Sequence, residues 1–214
     1  MKWRSPSSSV KGAPLALITQ GAIVTAVYLV LTVATSFMSF TVIQLRLAEA
    51  LTALPALFPS AIPGVFLGCL LANLLNPTPL GMVDVILGSL VTLVSAVLTW
   101  RLAKPWRRQL AQEVLGDTQQ QDSRFKKMGR TILPLLPPIG LNALVVGSYL
   151  PYLIQPDHPP PSLIAASIAS IFISQSLVLF VAGLPLITAL RKTPWAKRNY
   201  LVEWERERAP KEES

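Results

Sequence analysis

Long uncharged stretches alternate with short polar ones along this 214-residue chain. No charge occurs from Gly12 to Leu45. About 20 residues of helix cross the hydrocarbon core of a bilayer. This run therefore predicts a spanning helix near Leu15–Phe37, followed by a loop. A second uncharged run extends from Ala50 to Val83. Pro59 and Pro63 interrupt it, because each lacks an N–H and disrupts the preceding turn. Splitting the run at Phe58–Ala61 predicts two short helices, near Ile43–Leu57 and Ile62–Leu75. Asn76-Pro77-Thr78-Pro79 predicts a turn. A fourth helix follows over Leu80–Leu102. The segment from Trp100 to Arg130 is the hydrophilic centre of the chain and predicts an exposed linker, with room for a helix lying on the membrane surface. A fifth helix is expected near Ile132–Ile154, with Pro134, Pro137 and Pro138 at its start. Gln155 to Pro161 predicts a stiff polar loop, and Ser162–Leu190 a sixth helix. The tail from Arg191 to Ser214, with alternating Glu and Arg, is expected to be solvated.

Composition supports a membrane solvent for these helices. Hydrophobic residues make up 51% of the chain and charged residues only 14%, with mean hydropathy +0.49. A soluble domain carries about 25% charged residues. One helical bundle accounts for the whole length. Residues 1–11 are a polar N-terminal tail, 12–190 the membrane domain with its linker at about 101–130, and 191–214 a C-terminal tail. The N-terminal apolar run exceeds the usual signal-peptide core and no clear cleavage site ends it, so it reads as a retained helix.

Charge then sets the topology. The net charge is +8, which in a soluble protein raises nucleic acid as a partner. Here all but one of the 19 Lys and Arg residues fall in the two tails and the central linker. The positive-inside rule puts those three regions in the cytoplasm. An even number of crossings must separate each pair, which predicts a six-helix all-α bundle with both termini cytoplasmic and no nucleic-acid role. The remaining basic residue, Arg46, falls on the outer side with Glu49, Asp84, Asp157 and His158.

The stretch Gln44–Gly88 holds the chemistry of interest. Arg46, Glu49, Asn73 and Asp84 lie in or beside apolar helices, as do Asn142 and Gln175 further on. Ionisable and amide side chains in such segments need partners or a wet cavity, and by default they mark a functional site. Each also has a plain structural explanation. Arg46 and Glu49, three apart on one helix face, suit a mutual ion pair. Asp84 suits the dipole at a helix start. The amides suit interhelical hydrogen bonds. Tyr149, Tyr152, Trp100, Trp106 and Trp195 read as interfacial anchors, and His158 as solvated. The lone Cys69 cannot form an internal disulfide. The chain contains no phosphate-binding G-x-x-x-x-G-K-[ST] loop and no His/Cys cluster, so it carries neither its own P-loop ATPase nor a recognisable metal site. No cofactor is expected.

The runs IQLRLAEALTALPALFP, AIPGVFLGCLLANLL and GMVDVILGSLVTLVSAVLT resemble the queuosine-precursor transporter (QueT) family. The likeness continues through Leu136-Pro137-Pro138, Asn142 to Gly147, and Gly183-Leu184-Pro185-Leu186. It covers roughly Ala16 to Leu190 and leaves out the linker and the C-terminal tail. These proteins are substrate-capturing S components of energy-coupling factor (ECF) transporters. The resemblance implies six membrane helices, an outward-opening site for a 7-deazaguanine base, a transmembrane coupling subunit and two ATPase subunits. It also implies docking of the coupling subunit on the first helix through Ala22 and Ala26, since small residues four apart admit a second helix closely. Where the family leads one to expect an acidic or similar polar pair on the sixth helix, this chain has Ser174 and neutral Gln175. A guanine-like edge offers N–H donors to a carboxylate and a carbonyl to Arg or an amide. Arg46, Glu49, Asn73, Asp84, Asn142 and Gln175 are the candidate substrate-binding set. Alternatives are an S component for another vitamin-like solute, a membrane enzyme using Glu49 and Asp84 as acid and base, or a scaffold whose polar residues only join helices.

Overall fold

The computed structural model describes residues 13–35, 46–76, 81–116, 123–155 and 157–208. The N-terminal tail, the loop preceding Arg46, the Pro77-Thr78-Pro79 part of the expected turn and the Gln119–Gln121 stretch lie outside them. Every regular element among the described residues is helical. Four helices are long and apolar enough to cross a membrane: Leu15–Ala34, Met82–Leu102, Phe125–Ile154 and Pro161–Leu190. Two shorter apolar ones, Leu47–Ala56 and Ala61–Leu74, lie between the first and the second of these. Four long helices together with these apolar segments make a multi-pass membrane protein.

The first helix, Ala13–Ala34, is mostly exposed and packs chiefly on the short helix Ala61–Leu74. Absent side chains explain the close approach. A Cβ on Gly64 would lie 2.9 Å from the Gly21 carbonyl oxygen, and one on Gly68 would lie 2.6 Å from the Tyr28 Cβ. The Thr25 hydroxyl donates to the Gly64 carbonyl at 3.0 Å. Small residues thus bring two backbones together where lipid gives no hydrophobic drive to do so. Ala22 and Ala26 lie on the exposed side of the first helix.

The expected second helix is a 3₁₀ helix, Leu47–Ala56, and its residues from Ala48 on are buried. Pro55 fits at its end. Ten residues is long for this form, whose hydrogen bonds are poorer than those of an α-helix. It runs through the middle of the bundle and contacts the first helix, Met82–Leu102 and the last span. Its small side chains, Ala48, Ala50, Ala53 and Ala56, are what let so many neighbours approach.

Three expectations need correction. The fifth helix does not start at its prolines. It begins at Arg124 and absorbs Pro134 in a 3₁₀ turn, Leu133–Leu135, and Pro137 at the start of the next α-helical turn. Proline is tolerated in a first turn, where its missing N–H is not needed. A π turn, Asn142–Val146, follows within the same continuous rod. Secondly, the linker is not simply exposed. Lys104–Leu115 is a helix that buries Trp106, Arg107, Leu110 and Ala111, so Trp106 is core rather than an interfacial anchor. Thirdly, the C-terminal tail is not solvated throughout. Pro194–Arg208 forms a helix that buries Ala196, Tyr200 and Leu201 against the linker helix. His158 is exposed, as expected, and Trp195 is exposed as well.

Candidate substrate-binding site

The six candidate residues meet in one place. Arg46, Glu49, Asn73, Asp84, Asn142 and Gln175 line a single cavity, together with Cys69, Gly88, Thr92, Val146, Ile171 and Ser174. Five segments contribute: the 3₁₀ helix and the residue before it, the short helix, and the spans Met82–Leu102, Phe125–Ile154 and Pro161–Leu190. Residues 129 apart in sequence, Arg46 and Gln175, thereby share one wall. Free volume between the side chains is about 40 Å³, room for a few waters.

Glu49 sits at the centre, buried to 6% exposure. Its carboxylate accepts from the Tyr28 hydroxyl at 2.6 Å, from Gln175 Nε2 at 3.1 Å and from Asn142 Nδ2 at 3.4 Å. Three neutral donors from three separate helices thus hold this acid. Buried polar groups that are fully partnered fix a unique arrangement, so Glu49 ties the 3₁₀ helix to the first, fifth and last long elements. Neutral Gln175 serves here as a donor to Glu49.

Arg46 and Glu49 do not pair with each other. Among the described residues the ion pairs are Lys104–Glu207, Arg107–Glu203 and Arg108–Glu207, all in the linker and tail helices. Instead, Arg46 donates one long bond, 3.4 Å, to the Asn73 Oδ1. A guanidinium carries five N–H donors, so among the described residues most of its capacity is uncommitted. Asp84 lies in the first turn of Met82–Leu102 and accepts from the Tyr149 hydroxyl at 2.7 Å. Tyr149 does not line the cavity itself, but its hydroxyl ties it to Asp84 of the cavity wall. Gly88, one turn on from Asp84, keeps the wall open: a Cβ there would stand 3.3 Å from both Asn73 Nδ2 and the Tyr149 hydroxyl. Cys69 accepts weakly from Thr92 and Asn73, at 3.4 and 3.7 Å.

The arrangement offers two carboxylates, one guanidinium and several amides around a small cavity inside apolar walls. Such a set suits a small planar polar molecule with both donors and acceptors on its edge. Sequence reasoning missed the bonds from Tyr28 to Glu49 and from Tyr149 to Asp84. The available signal was a tyrosine hydroxyl midway along an uncharged helix, which needs a partner in lipid.

No curated protein and no solved structure matches the chain. A family model does, and it covers most of the length. The chain belongs to the QueT transporter family, whose model matches residues 18–192.

Proposed function

We propose that this membrane transporter is the substrate-capturing S component of an ECF importer for a queuosine precursor, a 7-deazaguanine base. The observation that carries this reading is the convergence of Arg46, Glu49, Asn73, Asp84, Asn142 and Gln175 on one cavity. In this reading Glu49 is the knot that positions its neighbours. Arg46 and Asp84 hold the base: Arg46 meets the ring carbonyl, and Asp84 accepts from the ring N–H and exocyclic amine. Asn73, Asn142 and Gln175 complete the edge. The small free volume supports a contracted state, from which the side chains part to admit the base. A coupling subunit docks on the first helix at Ala22 and Ala26, and two ATPase subunits hydrolyse the ATP that drives release into the cytoplasm. The chain itself supplies binding and orientation, not a chemical step.

Calorimetry with purified protein and a 7-deazaguanine base tests the reading. Saturable binding is expected. Asp84→Asn should weaken it about 10- to 100-fold, the weight of one charge-assisted hydrogen bond. Gly88→Leu, which fills the cavity, should abolish it while thermal unfolding stays cooperative. A well-folded protein that binds no such base would overturn the proposal.

A further inference from the structure

The tail helix Pro194–Arg208 lies beyond the family match, which ends at residue 192. It nevertheless reaches the element that carries the site. The link is Arg107 of the linker helix, 1% exposed. Its Nε and second terminal nitrogen donate to the two carboxylate oxygens of Glu203 at 2.6 and 3.0 Å. Its other terminal nitrogen donates to the backbone carbonyls of Ala56 at 3.0 Å and Trp100 at 2.8 Å. The guanidinium also stacks on the Trp100 ring, 3.4 Å from its centroid. Beside it, Asn199 Nδ2 of the tail helix reaches the Leu57 carbonyl at 3.5 Å.

Ala56 is the last residue of the 3₁₀ helix Leu47–Ala56, and Leu57 is its C-cap. Carbonyls at a helix end lack partners within the helix and must find them elsewhere. Here they find them on the linker and tail helices. Apolar packing seals the joint, since Leu57, Trp106, Tyr200 and Leu201 belong to the same buried cluster as Ala48, Leu51 and Leu54. The opposite end of the same 3₁₀ helix carries Glu49, with Arg46 just before it, at the cavity. One end is clasped and the other faces the cavity. The element between has the weaker hydrogen bonds of the 3₁₀ form, which often marks a hinge.

We propose that the Arg107–Glu203 pair is a clasp that positions the 3₁₀ helix, so that the tail helix sets how tightly Arg46 and Glu49 are held at the cavity. Arg107 and Glu203 are positioning residues and touch no substrate. The consequence for binding rests on reading the cavity as the substrate site, whereas the mechanical link does not. With the Ala56 end anchored, the 3₁₀ helix gives way at its Arg46 end when the contracted cavity enlarges. Loss of Glu203 leaves the buried guanidinium without its counter-charge, a costly state that frees Ala56 as well.

The test uses the full-length protein in lipid nanodiscs. Backbone hydrogen exchange is followed by mass spectrometry over residues 47–57, 82–102 and 161–190, and base affinity is measured by calorimetry. Glu203→Ala should speed exchange over 47–57 at least about tenfold and leave 161–190 and the part of 82–102 away from Trp100 unchanged. The same variant should weaken binding of a 7-deazaguanine base about three- to tenfold. Glu203→Gln, which keeps one acceptor for Arg107, should show a smaller change of the same kind and serves where the alanine variant does not fold. Lys104→Ala and Arg108→Ala, which break the exposed pairs to Glu207, should leave residues 47–57 unchanged. Unchanged exchange over 47–57 in both Glu203 variants, with the tail helix itself exchanging faster, would overturn the clasp. So would an equal rise in the Lys104 and Arg108 controls. If exchange rises but even the unmodified protein binds no deazaguanine base, the clasp stands and the substrate reading falls.

Discussion

At the scale of single residues, the site separates into groups that the protein satisfies and groups that it leaves available. Glu49 accepts three hydrogen bonds from Tyr28, Gln175 and Asn142. Arg46 and Asp84 each have one partner among the described residues, Asn73 and Tyr149 respectively. An acid already surrounded by donors has little left to offer a ligand, so under the proposed function its effect on binding is through geometry. This predicts a graded response. Tyr28→Phe removes one donor to Glu49 and keeps the ring packed against Gly68. Base affinity should fall less than tenfold and stability by about 0.5–1.5 kcal/mol, the net worth of one hydrogen bond. Calorimetry on Tyr28→Phe and Asp84→Asn together ranks the two roles. Equal losses would contradict the division between positioning and contact.

At the scale of elements, the tail helix is held by apolar contacts and by charge, and both can be titrated. Burial pushes the Tyr200 phenol up from 10.0 to about 12. The folded state therefore favours the neutral phenol, and this contribution is complete below pH 10 and lost as pH rises towards 12. Docking of the tail helix should weaken over that window. Tyr200→Phe, which cannot ionise, should flatten the response, and exchange or fluorescence of Trp204 against pH reads it. At the acidic end, hydrogen bonds from Arg108 and Lys104 hold the Glu207 carboxyl below its usual 4.5. That contribution is present above pH 4.5 and fades below it. Both groups are exposed enough that salt screens the pair.

At the scale of the whole molecule, the first helix is the least enclosed of the four long spans, with 11% of its apolar window buried. Gly21, Thr25 and Tyr28 face the short helix, which leaves Ala22 and Ala26 outward. The proposed docking of a coupling subunit on this face gives a prediction. Ala22→Leu or Ala26→Leu should reduce co-purification of a coupling subunit and ATPases severalfold, because larger side chains hold helices apart. Base binding by the isolated chain should stay within twofold. Loss of base binding in these variants would show that the face supports the fold rather than a partner.

Much of this was legible along the chain because lipid imposes simple rules. Runs free of charge, proline interruptions and clustered Lys and Arg are local signals, and they yielded the long helices, the break near Phe58–Ala61 and the candidate residues Arg46, Glu49, Asn73, Asp84, Asn142 and Gln175. What they could not supply was pairing. Whether Glu49 meets Arg46, three residues away, or Gln175, 126 residues away, depends on how five segments pack. Periodicity within one segment carries no information on that. The same limit explains the tail. Arg107 and Glu203 read separately as solvated charges, since surface and buried ion pairs look alike in sequence. Only the packing of Trp106, Tyr200 and Leu201 around them decides that this Arg is dry and that its hydrogen bonds reach the end of the 3₁₀ helix. Helix choice follows from local composition and solvent, whereas partner choice is a property of the packed bundle.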